Sequence, residues 1–286
     1  MVPRQRQQTV YLIRHGEAAH NIVDTDTAFD RRRDPLLADP YLTDLGVSQA
    51  TDAASTLSKL LDEHRDGAPA VVVSSTLRRA LHTAELAALP AAAPQATLLS
   101  LDLACEIQFG DIWNEPRHLE ATFDDWPAWR REPCDSFSDC GDPPLETADR
   151  MVTRAEAFWH RLARLDSSVV VVVSHGCFLQ FFLRRISLAA FASSPVDASF
   201  FDNAEVRRVC LPPPDGRQLR WRELVHELEL RDRRVPEEDV RFWDRYSFRV
   251  AHINRAGSGS APQWVAKEWR YAIEDEDLDA TLDNSL

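Results

Sequence analysis

Hydrophobic positions along the chain follow two alternating spacings. Short apolar runs rich in β-branched residues predict strands, at 9–13, 70–73, 97–101, 169–173 and 205–211. Apolar residues that recur every three or four positions predict helices between these runs, over 47–61, 77–89, 151–165 and 178–186. Strands that alternate with helices are typical of layered α/β folds. We therefore predict a three-layer α/β/α sandwich with a mostly parallel central sheet.

Two regions depart from this alternation. Residues 107–145 are rich in Asp, Pro and Trp and interrupt the pattern as a long insertion. Beyond residue 211 the pattern weakens, but four tryptophans follow, and tryptophan side chains seldom stay exposed. We therefore expect one domain over 1–211, which contains the insertion, and a C-terminal extension over 212–286 that packs on the core. The acidic end of the extension, residues 274–277, is expected to be mobile.

The composition narrows the range of possible partners. The 286 residues include 33 Lys+Arg and 46 Asp+Glu, a formal net charge of −13, which argues against a surface for nucleic acid or for anionic membranes. No apolar run approaches the ~20 residues that span a bilayer. The five cysteines are an odd number without a Cys-x-x-Cys pair, which favours reduced thiols in a cytoplasmic protein. A disulfide between Cys134 and Cys140 stays open, as does the oligomeric state.

Two predicted strands run directly into a His-Gly pair. The first ends in Arg14-His15-Gly16 and the other in Ser174-His175-Gly176. In parallel α/β sheets, ligands bind beyond the carboxyl ends of the strands, so the two histidines can converge on one site. The helix that follows each glycine adds partial positive charge at its first turn. Both strand ends therefore suit an anion.

A third strand end supplies another cation. The strand at 70–73 is followed by Ser75 and then by Arg79. The guanidinium groups of Arg14 and Arg79 are planar donors that match the geometry of phosphate. Their charges would lower the pKa of a nearby histidine, which keeps that histidine neutral and able to act as a nucleophile. The residues thus predict a phosphate pocket of two arginines and two histidines.

Four spaced motifs occur along the first two-thirds of the chain. They are Arg14-His15-Gly16-Glu17 with Asn21, Leu42-Thr43-x-x-Gly46-x-x-Gln49-Ala50, Ser75-x-Leu77-x-Arg79-Ala80 with Thr83-Ala84, and Ser174-His175-Gly176. Together they resemble the motifs of the histidine phosphatase superfamily, the phosphoglycerate-mutase-like phosphatases. The resemblance covers residues 10–185, and residues 201–205 are similar to a segment of its fungal members. This resemblance implies a phosphoglycerate-mutase-like α/β fold.

The resemblance also implies a role for each matching residue. His15 would be the nucleophile that takes the phosphoryl group. The phosphate oxygens would be held by Arg14, Asn21, Arg79, His175 and Gly176. The superfamily places its proton donor in a Glu-x-x-x-Gly pattern, which Glu106 and Gly110 match. Asp111 and Glu115 stay open as alternatives to Glu106.

The implied function is that of a metal-independent phosphatase. It would hydrolyse a small-molecule phosphomonoester through a phosphohistidine and release inorganic phosphate, with no cofactor. Histidines outside the motifs show no metal-binding spacing. A phosphomutase and a non-catalytic binding protein of the same fold stay open. Mutases carry a basic insertion after the acid, whereas residues 107–145 are acidic and rich in Trp, so a phosphatase is favoured.

Overall fold

The computed structural model describes residues 8–22, 37–64, 66–108, 113–114, 124–133, 145–190, 196–231, 233 and 235–256, with side chains as far as residue 247. Several predicted features lie outside these residues. They are the alternative acids Asp111 and Glu115, the motif residue Gly110, the Cys134–Cys140 pair, Trp264, Trp269 and the acidic end at 274–277.

In the described part of the chain, six strands form one sheet in the order β4-β3-β2-β5-β1-β6. The strands are β1 (Gln8–Arg14), β2 (Val71–Ser74), β3 (Thr97–Leu101), β4 (Arg130–Glu132), β5 (Val169–Ser174) and β6 (Val206–Leu211). All neighbours are parallel except β6, which runs antiparallel to β1. The predicted mostly parallel sheet is therefore confirmed. Strand β4 was not predicted because its Arg-Arg-Glu sequence contains no apolar run.

Helices cover both faces of the sheet. They are α1 (Asp44–Glu63), α2 (Arg78–Thr83), α3 (Ala148–Ala163), α4 (Gly176–Ser187), α5 (Trp221–Glu229) and α6 (Glu237–Ala256). Thr43 caps α1, because its side chain accepts a hydrogen bond from the Gly46 N–H. The helix predicted over 77–89 is α-helical only as α2, and it continues as a π turn and a 3₁₀ turn as far as Ala91. Pro90, which has no N–H, lies in that last turn.

Alternate side chains of β1 face two separate hydrophobic cores. Val10 and Leu12 pack with α3 to α6, and Tyr11 and Ile13 pack with α1 and α2. This alternation follows from the two-residue period of a strand, and it confirms the three-layer sandwich. No helix among the residues that the structure describes is long and apolar enough to cross a membrane.

Two of the tryptophans beyond residue 211 are buried in the core. Trp221 on α5 is 2% exposed and Trp243 on α6 is 3% exposed, and both contact Phe181 of α4. The described part of the 212–286 extension therefore packs on the sheet's helical layer. The division of the chain at residue 211 stays a prediction.

The order of the central strands β2, β5 and β1 places three chain segments at one edge. Arg14 of β1 lies opposite Ser174 of β5, and Ser74 of β2 lies opposite Val173. Because these strands are parallel, the residues that follow them emerge side by side. The His15 N–H continues the ladder by donating to the Ser174 carbonyl at 2.9 Å.

Two glycines let the loop after β1 approach the start of α1. A Cβ at Gly16 would lie 2.4 Å from the Gly46 carbonyl oxygen. The Gly16 N–H also donates to the Thr83 hydroxyl at 3.0 Å, which ties the same loop to α2. The first motif is therefore held between two helices by backbone contacts that a side chain would block.

Replacement of Gly46 by alanine tests this approach. A Cβ at position 46 would lie 1.9 Å from the Glu17 carbonyl oxygen, so Gly46→Ala should lower the free energy of unfolding by about 1–3 kcal/mol in urea denaturation. Gly67→Ala is the matched control, because nothing lies within 4 Å of a Cβ there, and its effect should stay within about 0.5 kcal/mol. Equal effects would show that the approach of the two backbones does not constrain the fold.

Candidate active site

The structure brings three of the predicted site residues into one buried cluster. His15, Arg79 and His175 are 2%, 0% and 0% exposed. The ring centroids of His15 and His175 lie 5.0 Å apart, and Nε of Arg79 lies 3.3 Å from Nε2 of His15. His15 and His175 directly follow β1 and β5, and Arg79 lies in the first turn of α2, which follows β2. The cluster therefore lies where an open parallel sheet binds ligands.

The hydrogen bonds of His15 determine which ring nitrogen carries the proton. Its Nδ1 lies 2.7 Å from the Gly16 carbonyl oxygen, and a carbonyl oxygen only accepts. Nδ1 is therefore protonated, and Nε2 presents a lone pair toward Arg79. Burial lowers the pKa of His15 well below its ordinary value, and the charges of Arg79 and Arg14 lower it further. The imidazole is therefore neutral, with its nucleophilic atom facing the cations.

A loop outside the motifs fixes the guanidinium of Arg79. One terminal nitrogen donates to the Trp113 carbonyl at 2.7 Å and the other to Oδ1 of Asn114 at 2.7 Å. Asn114 is itself held, because its Nδ2 donates to the Ile107 carbonyl at 3.0 Å. Asn114 was not predicted from the sequence as a site residue. Its only signal in the sequence is its position after Glu106.

Arg14 is held by the chain that precedes β6. A terminal nitrogen donates to the Phe201 carbonyl at 2.7 Å, and the guanidinium carbon lies 5.0 Å from the centroid of the Phe200 ring. Burial lowers the pKa of Arg14, and the charge of Glu106 opposes that effect. The Nε atom of Arg14 is buried and has no hydrogen-bond partner within the described ranges. It is therefore a charged donor without an acceptor.

His175 is the residue immediately before α4. Its Nε2 lies 2.8 Å from the hydroxyl of Ser75, and its Nδ1 is buried without a hydrogen-bond partner in the described part of the chain. The Ser75 hydroxyl donates to Sγ of Cys105 at 3.3 Å, and in that arrangement Nε2 of His175 donates to Ser75. Where the hydroxyl donates to Nε2 instead, Nδ1 carries the proton and can donate to a ligand. Burial and the charge of Arg79 lower the pKa of His175 well below its ordinary value, so this donor is neutral.

Glu106 lies against the first turn of α4. Its carboxylate accepts from the N–H groups of Cys177 at 3.1 Å and Phe178 at 3.0 Å, and also from the N–H of Ile107 at 2.9 Å. The N–H groups of Cys177 and Phe178 belong to the first turn of α4, whose N–H groups have no partner within the helix. They fix the carboxyl group of Glu106 at the start of the helix that follows His175.

Buried Arg154 on α3 holds the segment that carries Glu106. It donates to the carbonyl oxygens of Leu103 at 3.1 Å and Cys105 at 2.5 Å. Its charge is balanced by Glu146, with a nitrogen–oxygen distance of 2.7 Å. The sequence offered no sign of this pair, because its two members are separated from Glu106 along the chain.

Asn21 and Gly176 are the two remaining residues predicted to bind phosphate. Asn21 is exposed; its Oδ1 accepts from the Ala18 N–H at 2.9 Å, and its Nδ2 donates to Nε2 of His20 at 3.2 Å. Gly176 begins α4 beneath the ring of Phe200, which would lie 2.4 Å from a Cβ there. Their roles in phosphate binding stay predictions.

No group of three or more His, Cys, Asp or Glu side chains that could hold a metal ion occurs among the described residues. The cluster itself consists of cationic and neutral donors around one nucleophilic nitrogen. Such an arrangement can bind a tetrahedral oxyanion and attack its central atom.

The model of the histidine phosphatase superfamily, branch 1, matches residues 10–223. This match spans most of the chain, and the protein belongs to that superfamily. It is the superfamily that the four motifs resemble, and residues 10–223 include the three strand ends that form the cluster. A search of curated proteins found no match.

Solved structures with a similar fold include three phosphatases. Mycobacterial glucosyl-3-phosphoglycerate phosphatase with VO3 is 22% identical, with a TM-score of 0.41, over 70% of this chain and 92% of that chain. The α-ribazole phosphatase from Shigella flexneri is 23% identical, with a TM-score of 0.46, over 72% and 92%. The ecdysone phosphate phosphatase from Bombyx mori, with tungstate, is 15% identical, with a TM-score of 0.49, over 76% and 100%. At these identities the likeness concerns the fold alone.

His15 should stay neutral when the solution is acidified. Because burial and Arg79 lower its pKa, the cationic form appears only below the range in which an ordinary histidine titrates. The ring ¹⁵N shifts of His15, assigned with a His15→Asn variant, should keep the values of the Nδ1-protonated neutral form from about pH 7.5 to about pH 5.5. A titration midpoint near the ordinary value of about 6.5 would contradict the described environment.

Proposed function

We propose that the protein is a metal-independent phosphatase that hydrolyses a small-molecule phosphomonoester through a phosphohistidine on His15. The observation that carries this proposal is the neutral tautomer of His15, in which Nδ1 holds the proton and Nε2 holds the lone pair. Its Nδ1 donates to the Gly16 carbonyl at 2.7 Å, so the lone pair of Nε2 faces Arg79 at 3.3 Å. A neutral nucleophile beside a cation is what attack on an anionic phosphoryl group requires.

Unpaired donors around His15 support phosphate as the ligand. Nε of Arg14 and Nδ1 of His175 are both buried without a hydrogen-bond partner among the residues described. Buried polar groups are normally paired. A phosphoryl group bound at Nε2 of His15 would supply an oxygen to Nε of Arg14, and another to Nδ1 of His175 when the Ser75 hydroxyl donates to Nε2 of that ring. Charge-assisted bonds from Arg14 and Arg79 would stabilise the negative charge of the transferring group.

The proposed reaction has two steps, phosphorylation of His15 and hydrolysis of the phosphohistidine. In the first, Glu106 is protonated; Nε2 of His15 forms a bond to phosphorus, the bond from phosphorus to the ester oxygen breaks, and Glu106 gives its proton to the departing oxygen. In the second, Glu106 takes a proton from water, the water oxygen forms a bond to phosphorus, and the bond from phosphorus to Nε2 breaks, which releases inorganic phosphate and restores neutral His15 and protonated Glu106. Among the described residues, Oε2 of Glu106 accepts one hydrogen bond, from the Cys177 N–H, and it keeps a lone pair for the proton.

The absence of the basic insertion of mutases at residues 107–145 favours hydrolysis over phosphoryl transfer to a second substrate. We further propose that the protein acts in the cytoplasm. The thiols of Cys105, Cys177 and Cys210 are free, which suits a reducing compartment.

Hydrolysis of p-nitrophenyl phosphate in the presence of a chelator tests the proposed function. The wild-type protein should turn the ester over with EDTA present, and His15→Ala should lower kcat/KM by at least about 10³. His226→Phe is the matched control, because His226 is exposed on α5, away from the cluster. Equal turnover by wild type and His15→Ala would contradict the proposal, as would activity lost to EDTA. Interconversion of 2- and 3-phosphoglycerate would show a mutase instead.

The role of Glu106 as proton donor predicts a dependence on the leaving group. Glu106→Gln should lower kcat/KM by about 10²–10⁴ for an alkyl phosphate, whose alkoxide needs a proton to leave. The loss should be much smaller for p-nitrophenyl phosphate, because nitrophenolate leaves without one. Circular dichroism should show that α4 still forms, since the amide oxygen of glutamine can still accept at its first turn. Equal losses for both esters would assign the proton donor to another residue.

A further inference from the structure

A third histidine lies beside the nucleophile. The ring of His20 is centred 5.7 Å from that of His15, and on another side it lies 5.9 Å from the ring of Trp113. His15 and His175 are almost completely buried, whereas His20 is partly exposed and is followed by exposed Asn21. His20 therefore stands between the buried cluster and solvent. None of the motif roles above includes it.

The hydrogen bonds of Asn21 determine the proton position on His20. The Ala18 N–H can only donate, so the atom of Asn21 that lies 2.9 Å from it is the amide oxygen. The amide nitrogen then faces Nε2 of His20 at 3.2 Å and must donate to it. Because Nε2 accepts, the proton of the neutral ring is on Nδ1. The turn at 18–21 thus selects one tautomer of His20.

The protonated nitrogen of His20 has no acceptor among the residues that the structure describes. Nδ1 is buried and lacks a hydrogen-bond partner in the described part of the molecule, an arrangement that is unfavourable unless a ligand completes it. Burial and the charges of Arg79 and Arg14 lower the pKa of His20 well below its ordinary value. The ring therefore presents a neutral N–H and does not take up a second proton at neutral pH.

We propose that Nδ1–H of His20 donates a hydrogen bond to an oxygen of the bound phosphoryl group. A phosphorus atom under attack lies about 3–3.5 Å from the nucleophilic nitrogen, and its oxygens extend beyond it. The ring of His20, centred 5.7 Å from that of His15, is within reach of one of these oxygens. Arg14, Arg79 and His175 supply the buried donors, and His20 supplies one from the solvent side. Asn21 then acts through His20, as a positioning residue that selects the tautomer.

This inference rests on the proposed function for its ligand, but it can be tested by binding alone. The probes are inorganic phosphate and orthovanadate. Their inhibition constants would be measured against p-nitrophenyl phosphate, and phosphate binding would also be measured by calorimetry on His15→Ala, which does not depend on turnover. Thermal unfolding of every variant would show whether it is folded.

Three substitutions of His20 separate hydrogen-bond donation by Nδ1 from acceptance by Nε2 and from the packing of the ring. An asparagine amide reaches the place of Nδ1, a glutamine amide reaches the place of Nε2, and phenylalanine keeps the ring without a donor. His20→Phe and His20→Gln should raise the inhibition constants of both anions about 10- to 100-fold, the range for a lost hydrogen bond to a charged group. His20→Asn should restore most of the affinity.

Each outcome bears on the inference. If glutamine restores affinity and asparagine does not, the acceptor toward Asn21 matters and the proposed donor is wrong. If all three variants bind both anions like the wild type, His20 does not contact the phosphoryl group. In both cases the proposed function stands, provided that the wild type hydrolyses the ester and His15→Ala does not. If the wild type binds neither phosphate nor vanadate, both proposals are wrong.

Discussion

The parallel register between β1 and β5 is the constraint on which the rest of the site depends. It sets Arg14 opposite Ser174, so that His15 and His175 leave the sheet side by side with their rings 5.0 Å apart. A slip of one residue would turn every side chain of a strand to the opposite face. Such a slip would also exchange Tyr11 and its neighbours between the two cores, so packing on both faces of the sheet opposes it.

The same packing makes the site's electrostatics possible. A charged arginine repels a charged histidine beside it. Burial lowers the pKa of the histidines, so they stay neutral and this repulsion is absent. Arg79 can hold its charge in this buried place because carbonyl and amide oxygens at Trp113 and Asn114 receive its terminal nitrogens. A chain with a net charge of −13 thus builds a local cationic pocket, and a few side chains set the field that an anion meets.

The site residues that directly follow a predicted strand are the ones that the sequence predicts best. His15 and His175 each follow a predicted strand. Because parallel strands end at the same edge of a sheet, the sequence predicts that the two histidines lie close together. Contacts between segments that are distant along the chain are predicted poorly from the sequence. Strand β4 is too short and polar to show a pattern, and Asn114 supports Arg79 only after the chain folds. Asn21 stays a predicted phosphate ligand; in the structure its amide nitrogen lies 3.2 Å from Nε2 of His20, a contact that no spacing rule reveals.

The most direct test is the chemical identity of the phosphorylated intermediate. The protein would be mixed with a phosphomonoester, quenched in alkali to preserve phosphohistidine, and examined by peptide mass spectrometry and ³¹P NMR. The His15 tautomer fixed by the Gly16 carbonyl predicts one phosphate, on Nε2 of His15. A phosphate on Nδ1 of His15, on His175 or on a serine or carboxylate would contradict the account.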